Sequence, residues 1–194
     1  MGAMCVVSTA GVRMPCAVGT TSERGREFLL AAVATKGMHP RATEFRARVE
    51  AEHGLSIDIR EFPEGTKTAT DAAGAIGCDV AAIASSLVFR APDLVIVVAS
   101  GANRVSEAKL AAVRGVPETD VGIASADEIR DRLGWSIGGV PPFCHDERVP
   151  VYLDETLAGF EEVWAAAGTP QAVFPIAPES IAAIAGAERV DVAE

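Results

Sequence analysis

Leu87-Val-Phe89 and Leu94-Val-Ile-Val-Val98, separated by Ala91-Pro-Asp93, decide the fold. Pro-Asp is turn chemistry: proline presets φ, and the aspartate side chain can bond the backbone ahead of it. Two apolar runs joined by such a turn read as a β-hairpin. The second run has no polar residue at either parity. Such a strand is buried on both faces, so a layer must pack on each side of its sheet.

The neighbouring segments supply those layers. Upstream, Pro40 suits the first turn of a helix, where its missing N–H is no loss. Phe45 and Val49 recur four apart, and Gly54 can close that helix in a left-handed conformation. Leu55, Ile57 and Ile59 alternate with Ser56, Asp58 and Arg60, which predicts a half-buried strand. Thr68 can cap a helix that has Asp71 in its first turn and Gly77 at its end. Asp79 caps a further short turn through Ile83.

Downstream, Ser100–Arg104 is a polar loop, and Ser106–Arg114 is a helix stopped by Gly115. Val121–Ala124 predicts a strand. Ser125-Ala-Asp-Glu128 is a capping-box sequence opening a helix to Leu133, which Gly134 stops. Gly138–His145 is a stiff loop rich in Gly and Pro. Val149–Leu153, Val163–Ala166, Gln171–Ile176 and Val190–Val192 are strands, and Glu179–Ala185 a helix. Strands and helices alternate irregularly, so the reading is α+β: a single domain with a mixed, curved sheet flanked by helices.

The 194 residues suffice for one domain with a real core. The expected division is a domain over 38–194 after an extension over 1–37 that is loose or carries one short helix at 25–36. The extension's apolar stretch precedes Arg13, the reverse of a secretory signal. Hydrophobic residues make up 49% and aromatics 5%, which excludes disorder, collagen and a disulfide scaffold. A net charge of −10 argues against a protein held to DNA by bulk charge.

No apolar run reaches the roughly 18–20 residues of a membrane helix. Cys5, Cys16, Cys78 and Cys144 are scattered without a CxxC pair, and only His39, His53 and His145 could join them. Spacing therefore argues against zinc, and the cysteines read as reduced thiols in a cytoplasmic protein. No metal and no cofactor is expected.

No GxSxG, Walker, GxGxxG or HExxH motif is present, so any activity must come from backbone groups, loops and a few polar side chains. Three segments offer them. In Ser100-Gly-Ala-Asn-Arg104, Gly101 permits close backbone approach, Asn103 can bond a substrate or cap the next helix, and Arg104 can meet a phosphate. In Gly138–His145, Pro141-Pro142 stiffens the loop, and the N–H groups of Gly138 and Gly139 could hold a carbonyl oxygen. His145 could orient a water or a ribose hydroxyl, or be bonded within its own loop. Cys144 beside it reads as a buried structural thiol, with a reactive-cysteine redox protein as the competing class. Ser85-Ser86 opens a strand without an Asp–His pair to activate either hydroxyl, so local backbone bonding is expected there.

Taken in order, several stretches resemble the YbaK/prolyl-tRNA-synthetase-associated domain family. They are Thr68-Ala-Thr-Asp-Ala-Ala73, Ile83-Ala-Ser-Ser-Leu-Val-Phe89, Ser100-Gly-Ala-Asn-Arg104 with Glu107-Ala-Lys109, Gly138-Gly-Val-Pro-Pro-Phe143, Val151-Tyr-Leu-Asp154 and Ala167-Gly-Thr-Pro170. The similarity runs from about Pro40 to Glu194. It implies a barrel-like mixed sheet and a trans-editing deacylase that hydrolyses the ester of a mischarged aminoacyl-tRNA. The substrate implied is a small amino acid such as Cys or Ala on tRNA for proline. The implied partners are the aminoacyl-tRNA 3′ end and prolyl-tRNA synthetase; no DNA and no membrane are implied.

On this reading Gly138, Gly139, His145 and Ser85 are the catalytic candidates. Ser100, Gly101, Asn103, Arg104, Pro142 and Lys67 are the substrate-binding ones. One departure stands out: the family carries a lysine where this chain has Ser85. Lys67 or Arg90 would have to compensate. The alternative is a catalytically impaired module that binds aminoacyl-tRNA or a related small ligand without turnover.

Overall fold

The computed structural model describes residues 37–62 and 68–194. The helix expected at 25–36, the rest of the extension before Gly37, and Lys67 lie outside the described residues. Residues 38–194 form one compact unit.

Helix α1 (Pro40–His53) starts on its proline and ends at Gly54, φ 65°. The strand expected at 55–60 shrinks to β1 (Arg60–Glu61), because among the described residues no strand lies beside 55–59. Leu55 is exposed, while Ile57 and Ile59 reach the core without ladder bonds. Helix α2 (Ala69–Ile76) carries a full Thr68/Asp71 capping box. A 3-10 turn, Val80–Ala82, follows on the Asp79 cap.

The hairpin is β2 (Ile83–Arg90) and β3 (Leu94–Ser100), paired from Ala84–Ser100 to Arg90–Leu94. Next come α3 (Glu107–Arg114), β4 (Gly122–Ile123) and α4 (Ala126–Glu128), which runs on as a π-helical turn, Ile129–Leu133. The Ser125/Glu128 capping box is present. The chain ends with β5 (Val151–Asp154), β6 (Val163–Ala166), β7 (Ala172–Ile176), α5 (Pro178–Ala185) and β8 (Glu188–Val190). The last strand lies two residues before its expected place. The Val192 carbonyl instead accepts from the Ser106 N–H at the start of α3, 2.8 Å away.

Among the described residues, eight strands form one mixed sheet in the order β1-β7-β6-β2-β3-β5-β8, with β4 on β2. Every residue of β3 is buried. Leu94, Ile96 and Val98 pack into a core with Phe45 of α1, Trp135, Phe143, Phe174 and Ile181 of α5. Val95, Val97 and Ala99 face Leu110 and Ala111 of α3. A third, smaller cluster seats α2 on Ile83, Trp164 and Val173. The fold is α+β, a single mixed sheet flanked by helices.

Candidate functional site

Strand β2 is continuous with β3 along one edge but interrupted along the other. There β6 pairs only with Ile83 and Ala84, and β4 only with Phe89 and Arg90. Ala124 N–H extends the second patch to the Val88 carbonyl, 3.0 Å away. Among the described residues, 85–87 have no strand partner on this edge. The Ile83 carbonyl accepts from Gly101 N–H on the β3 side, whereas that of Val88 faces the other. Peptide directions alternate in a strand, so the N–H and C=O of Ser86 point into the gap.

A cavity of about 270 Å³ fills the gap. Ser85, Ser86, Leu87 and Val88 all line it, so it is reached from both faces of β2. Thr68 and Ala69 of α2, Gly138, Thr169-Pro170 and Trp164 complete the walls, and the exposed side chains of Ile123 and Ile137 contribute to them. Among the described residues none of the lining groups is charged.

Among the described residues, two polar groups of this neutral cavity lack partners. The Ser86 hydroxyl is buried with no hydrogen bond to them, contrary to the expected local backbone bond. The Gly138 N–H makes no hydrogen bond among the described residues. Gly138 has φ 79°, a conformation that favours glycine, and this turn presents it to the cavity.

The other expected site residues lie elsewhere, each for a physical reason. Gly139 does not line the cavity; its N–H is spent on the Ser136 carbonyl at 3.0 Å. A Cβ on Gly139 would stand 2.5 Å from Thr169 Cα, so this glycine permits two loops to touch. His145 is turned away into a second pocket with Glu52 and His53, and its Nε2 is 2.8 Å from the Pro141 carbonyl. Burial pushes the His145 imidazole below its usual pKa. Pro142 is buried and not a cavity wall. Burial also pushes the Cys144 thiol up, to about 12, the reverse of an activated nucleophile.

The Ser100–Arg104 loop does structural work behind the site. Ser100 N–H and Asn103 Nδ2 donate to buried Asp154, at 3.2 and 2.8 Å. Burial alone would raise the Asp154 carboxyl; the bonds from Asn103, Thr156 and Ser100 outweigh it and hold the group below its usual range. Gly101 lies under α2, where a Cβ would meet Ala69 Cβ at 2.6 Å. Arg104 is solvent-exposed, near Glu194. Arg90 is ion-paired with Glu128 and so is not a free substitute for the missing lysine. Ser85 is the only expected catalytic residue besides Gly138 in the cavity wall.

Sequence reading did not name Trp164 or Thr169 as site residues, and it assigned Ser86 only a local backbone bond. The Ser86 signal was present in part: a strand polar at two adjacent positions between apolar ones has a hydroxyl on each face. Arg60 of β1 lies over the ring of Trp164, a cavity-lining residue, 4.7 Å from its centroid.

Comparison with known proteins agrees with this architecture. A solved structure proposed to be a trans-editing enzyme for prolyl tRNA synthetase is 37% identical, with TM-score 0.76, over 81% of this chain and 99% of its own. The hypothetical protein APE2540 is 25% identical, with TM-score 0.68, over 79% of this chain and 99% of its own. The uncharacterized protein YwhH of Bacillus subtilis (strain 168) is 31% identical over 128 residues, 64% of this chain and 78% of that protein. Residues 63–184 match the family model described as the aminoacyl-tRNA editing domain. With more than half of its length matched, this chain belongs to the aminoacyl-tRNA editing domain family.

Proposed function

We propose that the chain is a trans-acting deacylase that removes a small amino acid, such as cysteine or alanine, from mischarged tRNA for proline. The observation that carries this reading is the neutral cavity in the β2 gap, where the Gly138 N–H and the Ser86 hydroxyl and peptide groups have no hydrogen-bond partner among the described residues. Its volume lies below the roughly 300–1,000 Å³ of drug-sized sites, which suits an aminoacyl group rather than a whole nucleotide.

An aminoacyl ester needs little activation. Water, oriented by the 2′-hydroxyl of the substrate itself, attacks the ester carbon, the bond to the ribose oxygen breaks, and that oxygen takes up the proton the water loses, leaving free amino acid and tRNA. The uncharged walls supply no general base, so catalysis rests on orientation and on holding the developing oxyanion at Gly138 N–H. Ser86 C=O and Oγ accept from the α-ammonium group, which fixes the face presented to water. Apolar walls set the size limit, as in steric editing. The tRNA 3′ end approaches past Ile123, Ile137 and Arg60, and prolyl-tRNA synthetase is the source of the mischarged substrate. Such a reaction belongs in the cytoplasm.

The second reading, a binding module without turnover, is favoured by Ser85, since no lysine stands in the described wall. A panel of tRNAs charged with alanine, serine, threonine or cysteine separates the two. Rapid ester loss from one species supports the deacylase. Flat traces from folded protein, with a ligand-induced thermal shift, support the module.

A further inference from the structure

On the opposite side of the Gly138–His145 loop from the cavity wall, the end of α1 brings Glu52 and His53 to Cys144. One ligand atom from each lies within 4.8 Å of the other two. We propose that Glu52, His53 and Cys144 form a binding site for one divalent cation of the zinc or cobalt class. Thiolate sulfur, imidazole nitrogen and carboxylate oxygen are the donors zinc takes, and three protein ligands plus water are one of its standard arrangements.

The three donors differ in freedom in a way that suits assembly around an ion. Cys144 is fixed: its φ is 61°, and its carbonyl accepts from Trp135 Nε1 at 3.0 Å. His53 is steadied edge-on against Phe143, 5.8 Å between ring centroids. Glu52 is half-exposed, and its carboxylate already faces both partners: it accepts a hydrogen bond from the Cys144 thiol and lies 3.9 Å from His53 Nε2. Metal–ligand bonds of about 2.0–2.3 Å place tetrahedral donors about 3.3–3.8 Å apart. With all three donors within 4.8 Å of one another, closing on an ion takes about an ångström of movement.

Charge also fits. Binding displaces the thiol proton to solvent and forms the sulfur–metal bond, and thiolate and carboxylate together neutralise the dication. The positive charge of nearby Arg48 is already matched by Glu44 and Asp146. His145 lines the same pocket with Nε2 at the Pro141 carbonyl, so the fourth position falls to water. The ion would tie the end of α1 to the loop whose first residue, Gly138, lines the cavity.

The test is a Co²⁺ titration of the full chain under a non-thiol reductant, followed by its sulfur-to-cobalt charge-transfer and visible bands. One equivalent should produce both, and Zn²⁺ should abolish them. Cys144→Ser should remove the charge-transfer band, and His53→Ala should weaken binding by about tenfold or more. His53 lies at the end of α1, so its variant should keep the wild-type circular dichroism and decides the matter even where Cys144→Ser does not fold. No thiolate band at millimolar Co²⁺ overturns the proposal. So does a band that survives Cys144→Ser, which puts the ion on another cysteine, or an affinity unchanged in His53→Ala, which removes the imidazole from the site.

Discussion

Replacing Ser86 by alanine should raise stability and lower activity together. The Ser86 hydroxyl is buried in the cavity wall with no partner among the described residues. An unsatisfied buried hydroxyl costs about 1–3 kcal/mol. Alanine removes the oxygen and keeps the Cβ, so unfolding should become harder by about 1 kcal/mol. For a chain of this size that is a Tm rise of about 2–4 °C. With substrate bound, the same oxygen accepts a hydrogen bond worth about 0.5–1.5 kcal/mol net. Its loss should slow single-turnover deacylation about two- to tenfold. Differential scanning fluorimetry and ester-loss kinetics on one preparation read both quantities. Threonine at the same position keeps the hydroxyl and should keep the rate. A Tm that falls by several degrees means the hydroxyl is bonded within the fold. A rate that does not change means that it never meets the substrate. Either result refutes the reasoning.

Ser85→Lys places a cation in a wall that has none among the described residues, and should raise the deacylation rate at low salt; no change would detach Ser85 from catalysis. Gly139→Ala should lose about 1–3 kcal/mol in urea denaturation, because its Cβ would meet rigid Thr169 backbone at 2.5 Å. Gly138→Ala should lose less, since its nearest contact is the Pro170 ring at 3.3 Å and its cost is mainly the strain of φ 79°; the reverse order would contradict this packing. Asp154 has a lowered folded pKa, so its contribution is complete above the unfolded value of about 4 and is lost as pH falls through the folded value. Asp154→Asn should therefore be less stable than wild type at pH 7, with the difference shrinking at pH 3; a constant gap in urea midpoints would remove the carboxylate from the explanation.

Local chemistry was readable in the sequence wherever a few neighbouring residues settle the outcome. Both capping boxes, Thr68/Asp71 and Ser125/Glu128, formed as read, and the Pro-Asp turn produced the central hairpin. The uniform apolarity of Leu94–Val98 correctly required a layer on each face. The alternation at Leu55–Ile59 misled because period two measures which side chains can be buried together. It does not supply the partner strand that a ladder needs. The segment buries Ile59 and half-buries Ile57 without pairing, and only Arg60–Glu61 meets β7.

The site was harder to read because its decisive feature is an absence that long-range pairing creates. Nothing local to Ser86 states that β6 stops at Ala84 or that β4 begins at Phe89. Yet those two endings turn an ordinary strand residue into one whose peptide groups and hydroxyl face a cavity. The same logic reassigns the polar loop 100–104. Its residue types suit ligand binding, but Asp154 arrives from a strand more than fifty residues later and takes its donors. A ligand site needs polar groups that the fold leaves unspent, and a sequence shows only which groups exist. Gly138 and Gly139 make the point side by side: one N–H closes a turn onto Ser136, and the other makes no hydrogen bond among the described residues.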